Sequence, residues 1–119
     1  MINALQSLVI AAAIVGFVGM PATSVLAHPS LDIVASNWKF TPSTIELHVG
    51  QTSTLRLTSS QGVHGLESSD LAIPMTTIEP GTVKSVQVTP KKASKYVLHC
   101  AVMCGAGHPN MTLTVSVVP

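Results

Sequence analysis

Charge is the first thing this sequence lacks. Six Lys and Arg and five Asp and Glu are spread over 119 residues, for a formal net charge of +1. A nucleic-acid-binding chain would show a basic face. The only basic cluster, Lys91, Lys92 and Lys95, reads as a solvated turn. Aromatic residues are also scarce, and beyond residue 27 they are Trp38, Phe40 and Tyr96. Trp38 and Tyr96 read most simply as core residues. No segment after Ala27 sustains a helical period, and there is no internal repeat or low-complexity linker. There is also no nucleophile–base pair and no substrate-binding motif, which argues against an enzyme with a substrate of its own.

The absence of charge is complete from Met1 to Ala27; every charged side chain lies from Asp32 onward. Within that segment Leu8 to Met20 is continuously apolar, Pro21 follows, and Val25-Leu26-Ala27 places small or aliphatic residues where a signal peptidase cuts. The run is short for a membrane span, which needs roughly 20 apolar residues. Residues 1–27 therefore read as a signal peptide and residues 28–119 as one folded domain. The segment before the run has no Lys or Arg, so an uncleaved membrane anchor is the alternative. Both readings place the domain outside the cytoplasm, in the periplasm or facing it. Cleavage after Ala27 would make His28 the first residue, at a frayed terminus.

What the rest of the chain has is short alternating segments. In Thr44–Val49 the residues Ile45, Leu47 and Val49 share a face. Thr54–Thr58, Val83–Val88, Tyr96–Cys100 and Met111–Val117 follow, separated by Gly50-Gln51, Pro80-Gly81 and other turn signals. Ser, Thr and Val suit strands. This spacing predicts an all-β sandwich or barrel.

The chemistry is concentrated in Cys100-Ala101-Val102-Met103-Cys104-Gly105-Ala106-Gly107-His108-Pro109-Asn110-Met111, a C-x3-C-x3-H-x2-M loop between the last two predicted strands. Thiolate, imidazole and thioether donors together are soft and select copper over magnesium, calcium or manganese. Gly105 and Gly107 allow tight turns, and Pro109 limits the loop's freedom. His64, in the Gly-flanked loop Gln61–Gly65, is the candidate ligand from elsewhere in the chain, because loops at one end of a sandwich gather in space. The residues alone leave three other readings open: a Cys100–Cys104 disulfide, a zinc site using Cys100, Cys104, His108 and His64, and a mononuclear copper site. His48 falls on an outward face with Glu46. His99 points opposite to Cys100. Met75 and Met103 read as packing residues.

The loop resembles the binuclear copper A (CuA) motif of cytochrome c oxidase subunit II and nitrous oxide reductase. Val63-His64-Gly65-Leu66, Ile73-Pro74 and Pro80-Gly81 resemble the region of that family's first histidine ligand, and Val34 to Pro42 resembles the opening strand of a cupredoxin. The resemblance spans roughly Leu31 to Val118 and implies a Greek-key β-sandwich. It implies that Cys100 and Cys104 bridge two copper ions, that His64 and His108 each cap one, and that Met111 and the Val102 backbone carbonyl are weak axial ligands. Val102 stands where the oxidases often have Glu. The chain also lacks the aromatic-rich stretch that the oxidase subunit uses for electron entry. The implied function is one-electron transfer, with a c-type cytochrome or an oxidase as partner. The competing class is a periplasmic protein that stores or delivers copper.

Overall fold

The computed structural model describes residues 28–119, so the signal-peptide and anchor readings of the first 27 residues lie outside the described residues. The described chain forms nine strands and one short 3-10 turn: β1 Ser30–Ser36, β2 Lys39–Thr41, β3 Thr44–His48, β4 Ser53–Ser59, β5 His64–Ser68, β6 Ile73–Ile78, β7 Lys84–Val88, β8 Ser94–His99, the 3-10 turn His108–Asn110, and β9 Thr112–Val118. No helix among the described residues is long and apolar enough to cross a membrane.

The strands lie in three sheets, ordered β2-β1-β4-β7, β3-β9-β8 and β5-β6. The chain passes from the first sheet to the second and back. Two non-consecutive pairs, β1 with β4 and β3 with β9, are therefore parallel, while β8 and β9 form an antiparallel hairpin. The apolar alternation is what fixes the register, since a slip by one residue would turn the buried face to water. Leu55 and Leu57 from β4, Ile45 and Leu47 from β3, and Leu113, Val115 and Val117 from β9 all enter one core with Phe40 and Ile33. This is the all-β sandwich expected from the alternation.

The five strands predicted from alternation all form, within a residue or two at the ends. The stretch Val34 to Pro42, which resembles a single opening strand, instead divides between β1 and β2, which pair with each other antiparallel. Two further strands, β5 and β6, were not expected. His64-Gly65-Leu66 is buried along its whole width, and the pair is interrupted by a register shift between Leu66 and Ser68, so neither strand shows clean alternation. Val49 lies past the end of β3 and is exposed, although it continues the apolar face of Ile45 and Leu47.

Candidate metal centre

The hairpin of β8 and β9 places the loop. Its register ends at His99 opposite Thr112, and the Cys100 N–H donates to the Met111 carbonyl at 3.0 Å. The first and last candidate ligands thus face each other at the base of the loop. Cys100 and Met111 are buried, at 3% and 0% exposure. His99, one residue earlier, points outward, as the alternation predicts. Beyond them Cys104 and His108 are half-buried.

His64 is held from the neighbouring hairpin. It is the first residue of β5 and fully buried, which corrects its expected place in an open loop. The Ala101 N–H donates to the Gly65 carbonyl at 3.0 Å, tying the ligand loop to the residue after His64. The approach needs glycine: a Cβ on Gly65 would stand 2.6 Å from Val102 Cγ2 and 3.3 Å from the Val102 nitrogen. His64 Nε2 lies 2.7 Å from the Gln61 carbonyl. A carbonyl only accepts, so Nε2 carries the proton and Nδ1 keeps its lone pair. Nδ1 faces Cys100 Sγ at 3.9 Å.

The six residues singled out in the sequence fall into two groups. Around Cys100 are His64 Nδ1 and the Val102 carbonyl, which accepts from the Cys100 thiol at 3.2 Å. Around Cys104 are His108 Nδ1 at 3.5 Å and Met111 Sδ at 3.8 Å. The donor atoms of His64, Cys100 and Cys104 all lie within 4.8 Å of one another. Both cysteines are free thiols. Loss of hydration and the adjacent Cys100 sulfur push the Cys104 thiol up to about 11. Two thiols and the His64 imidazole clustered together, with the His108 imidazole and the Met111 thioether beside Cys104, fit a soft metal ion such as copper.

Three side chains stand elsewhere than expected. Trp38 is not in the core: it is 41% exposed and lies over the ligand loop. Its indole N–H donates to the Cys104 carbonyl at 2.8 Å. A Cβ on Gly107 would meet the Trp38 ring at 2.5 Å, and Gly105 has φ +121°, so both glycines of the loop are needed. Met75 and Met103 are not buried; they are 47% and 78% exposed, and only the methyl end of Met75 lies against Gly65. Trp38 carried no signal in the sequence beyond being a lone tryptophan beside a turn, and apolarity alone assigns such a residue to the core. Tyr96 does pack against the core from its half-buried position, and its hydroxyl donates to the Lys92 carbonyl. His48 faces outward beside Glu46 as expected.

Residues 8–115 match the family model of the cupredoxin-like domain. No curated protein matches the chain closely enough to count as a relative. Among solved structures, the chain is similar to a chain of a heme-copper terminal oxidase dimer, at 24% identity and a TM-score of 0.67, over 77% of this chain and 66% of that one. It is also similar to the periplasmic domain of subunit II of cytochrome oxidase from Bradyrhizobium japonicum, at 14% identity and a TM-score of 0.70, over 77% of this chain and 85% of that one. Reduced auracyanin from Roseiflexus castenholzii matches at 17% identity and a TM-score of 0.57, over 78% of this chain and 99% of that one. At these identities the solved structures speak for the fold, and the family match covers most of the sequence: the chain belongs to the cupredoxin-like family.

Proposed function

We propose that this protein is a one-electron carrier whose C-terminal loop holds a binuclear, CuA-like copper centre. The observation that carries the reading is the pairing of donors: Cys100 with His64 and the Val102 carbonyl, and Cys104 with His108 and Met111. Each half offers a thiol, an imidazole and one weaker donor, and the cysteines are close enough to share metals. When bound, the copper pair supplies a single exchangeable electron. Cys100 and Cys104 would hold it as thiolates. His64 presents Nδ1 because the Gln61 carbonyl holds the proton on Nε2. Met111 and the Val102 carbonyl would be its weaker ligands and would tune its potential. The backbone bond from Ala101 to Gly65 and the Trp38 bond to Cys104 hold the loop in place, so little rearranges when the charge changes.

The apolar leader supports export, with mature protein beginning at His28 in the periplasm, and a partner such as a c-type cytochrome or an oxidase. The subunit II likeness is to a periplasmic domain, in keeping with that location. Copper analysis with electron paramagnetic resonance tests the centre. Two coppers per chain and a hyperfine pattern shared over both nuclei are expected. A pattern from a single copper nucleus at full loading would overturn the binuclear reading.

A further inference from the structure

The methionines beyond residue 27 are Met75, Met103 and Met111, and all of them stand at the metal end. Met111 is buried beside Cys104. The other two are on the rim. Met103 lies between Val102 and Cys104 in the ligand loop and is 78% exposed, while Met75 on β6 is 47% exposed. The methyl end of Met75 rests against Gly65, where a Cβ would stand 3.2 Å from Met75 Cε and 2.6 Å from Val102 Cγ2. The methyl end of Met75 therefore lies beside the residue that follows His64, at the place where Val102 of the ligand loop also approaches.

Of the donors behind this rim, His64 and Met111 are at 0% exposure and Cys100 at 3%, while Cys104 and His108 are half-buried. An ion arriving from solution reaches the exposed Met75 and Met103 and the edge of Cys104 before it reaches the closed donors. Thioethers are soft ligands suited to Cu(I), and they bind without giving up a proton. Methionine has three rotatable bonds and a polarizable sulfur, so Met103 can swing toward Met75. A purely apolar role would be met equally well by leucine, which gives the test its leverage.

We infer that Met75 and Met103 form an entry site that captures a Cu(I) ion at the rim and passes it inward to Cys104 and Cys100. The inference rests on the copper reading above. In the transfer, the two thioethers release the ion as Cys104 and Cys100 bind it, each thiol gives its proton to water, and the ion remains Cu(I) throughout.

Two measurements decide it. The first uses the full chain with Cys100→Ser and Cys104→Ser, carrying 13C-methyl methionine and titrated with Cu(I) under anaerobic conditions. The Met75 and Met103 methyl signals should shift together and saturate at one ion per chain; unshifted signals overturn the entry site. This arm does not depend on the binuclear reading, because both cysteines are gone. The second follows the rate at which Cu(I) enters the copper-free protein with Met75→Leu and Met103→Leu. Loading slowed by roughly tenfold is expected, the result of weakening the first encounter by one order. Loading at the unsubstituted rate overturns the inference.

Discussion

At the scale of single residues, the two cysteines carry the site unequally with the methionine. The two cysteine sulfurs each stand with one half of the donor set and lie, with the His64 nitrogen, within 4.8 Å of one another, whereas Met111 meets only the Cys104 half, at 3.8 Å. Cys104→Ser should therefore abolish the binuclear spectrum. Met111→Leu should keep it and shift the potential, since a thioether would be a weak ligand there. A binuclear spectrum that survives Cys104→Ser would rule out bridging. The same cysteine gives the copper-free protein a pH dependence. Its thiol is pushed up to about 11 by lost hydration and by the Cys100 sulfur. A raised value means the native state holds its proton where the unfolded state has released it. The contribution is fully present below the unfolded thiol's pKa, near 9.0, and is lost as pH rises toward 11. Thermal melts of the copper-free protein should fall in midpoint from about pH 9 to about pH 11, and Cys104→Ser should flatten that decline. At neutral pH the same proton must leave when the metal binds, so copper uptake should acidify a weakly buffered solution.

At the scale of elements, the site is an agreement between the β8–β9 hairpin and the β5–β6 hairpin. The first delivers Cys100 and Met111 side by side; the second delivers His64. Their contact runs through the Ala101 to Gly65 backbone bond and through the absence of a side chain at Gly65. Gly65→Ala would put a methyl group into the Val102 side chain and backbone. Overpacking of this kind costs about 1–3 kcal/mol, and here the strain would push the loop off His64. Loss of copper from Gly65→Ala at chelator concentrations that the unsubstituted protein withstands is expected, together with a lower melting midpoint; equal retention would mean that the loop tolerates the shift. The hairpin contact also shows what the sequence could reveal. The strands with clean alternation were legible because their faces differ, one toward Leu55, Leu57 and Leu113, one toward water. The ligand loop was legible because its donors sit within a dozen residues of one another. β5 and β6 were not, because burial on both sides of His64-Gly65-Leu66 and the bulge before Ser68 leave no period to read. Trp38 was misplaced for a related reason. Its exposure depends on a loop 66 residues away in sequence that supplies a carbonyl and two glycines, and nothing near Trp38 announces that partner.

At the scale of the whole molecule, the question is whether the protein keeps its metal or gives it away. A carrier must hold copper through both oxidation states; a delivery protein must let it go. The buried half of the donor set and the hydrogen bonds that fix the loop favour retention, because release would require several bonds to break together. The surface then decides how a partner docks. Lys91, Lys92 and Lys95 lie before and at the start of β8, which runs from Ser94 to His99 before the chain reaches the site. A strand of this length spans about 17–20 Å, well beyond a Debye length of about 8 Å at physiological salt, so these lysines steer little at the metal end. Nearer the site, Lys39 follows Trp38, and Glu67 and Asp70 follow His64, a small and mixed set of charges. Val63, Trp38, Met75 and Met103 supply exposed apolar surface there. Docking should accordingly rest on apolar contact near His108, and its rate should vary weakly with salt. The decisive experiment mixes the copper-loaded protein with a reduced c-type cytochrome, and separately with a copper-free acceptor protein. Rapid cytochrome oxidation with copper retained, and a rate that changes little as salt is raised, is the expected result. Stoichiometric passage of copper to the acceptor with negligible electron transfer would make this a copper-delivery protein, and the preorganised loop would then have to open by a motion that its hydrogen bonds oppose.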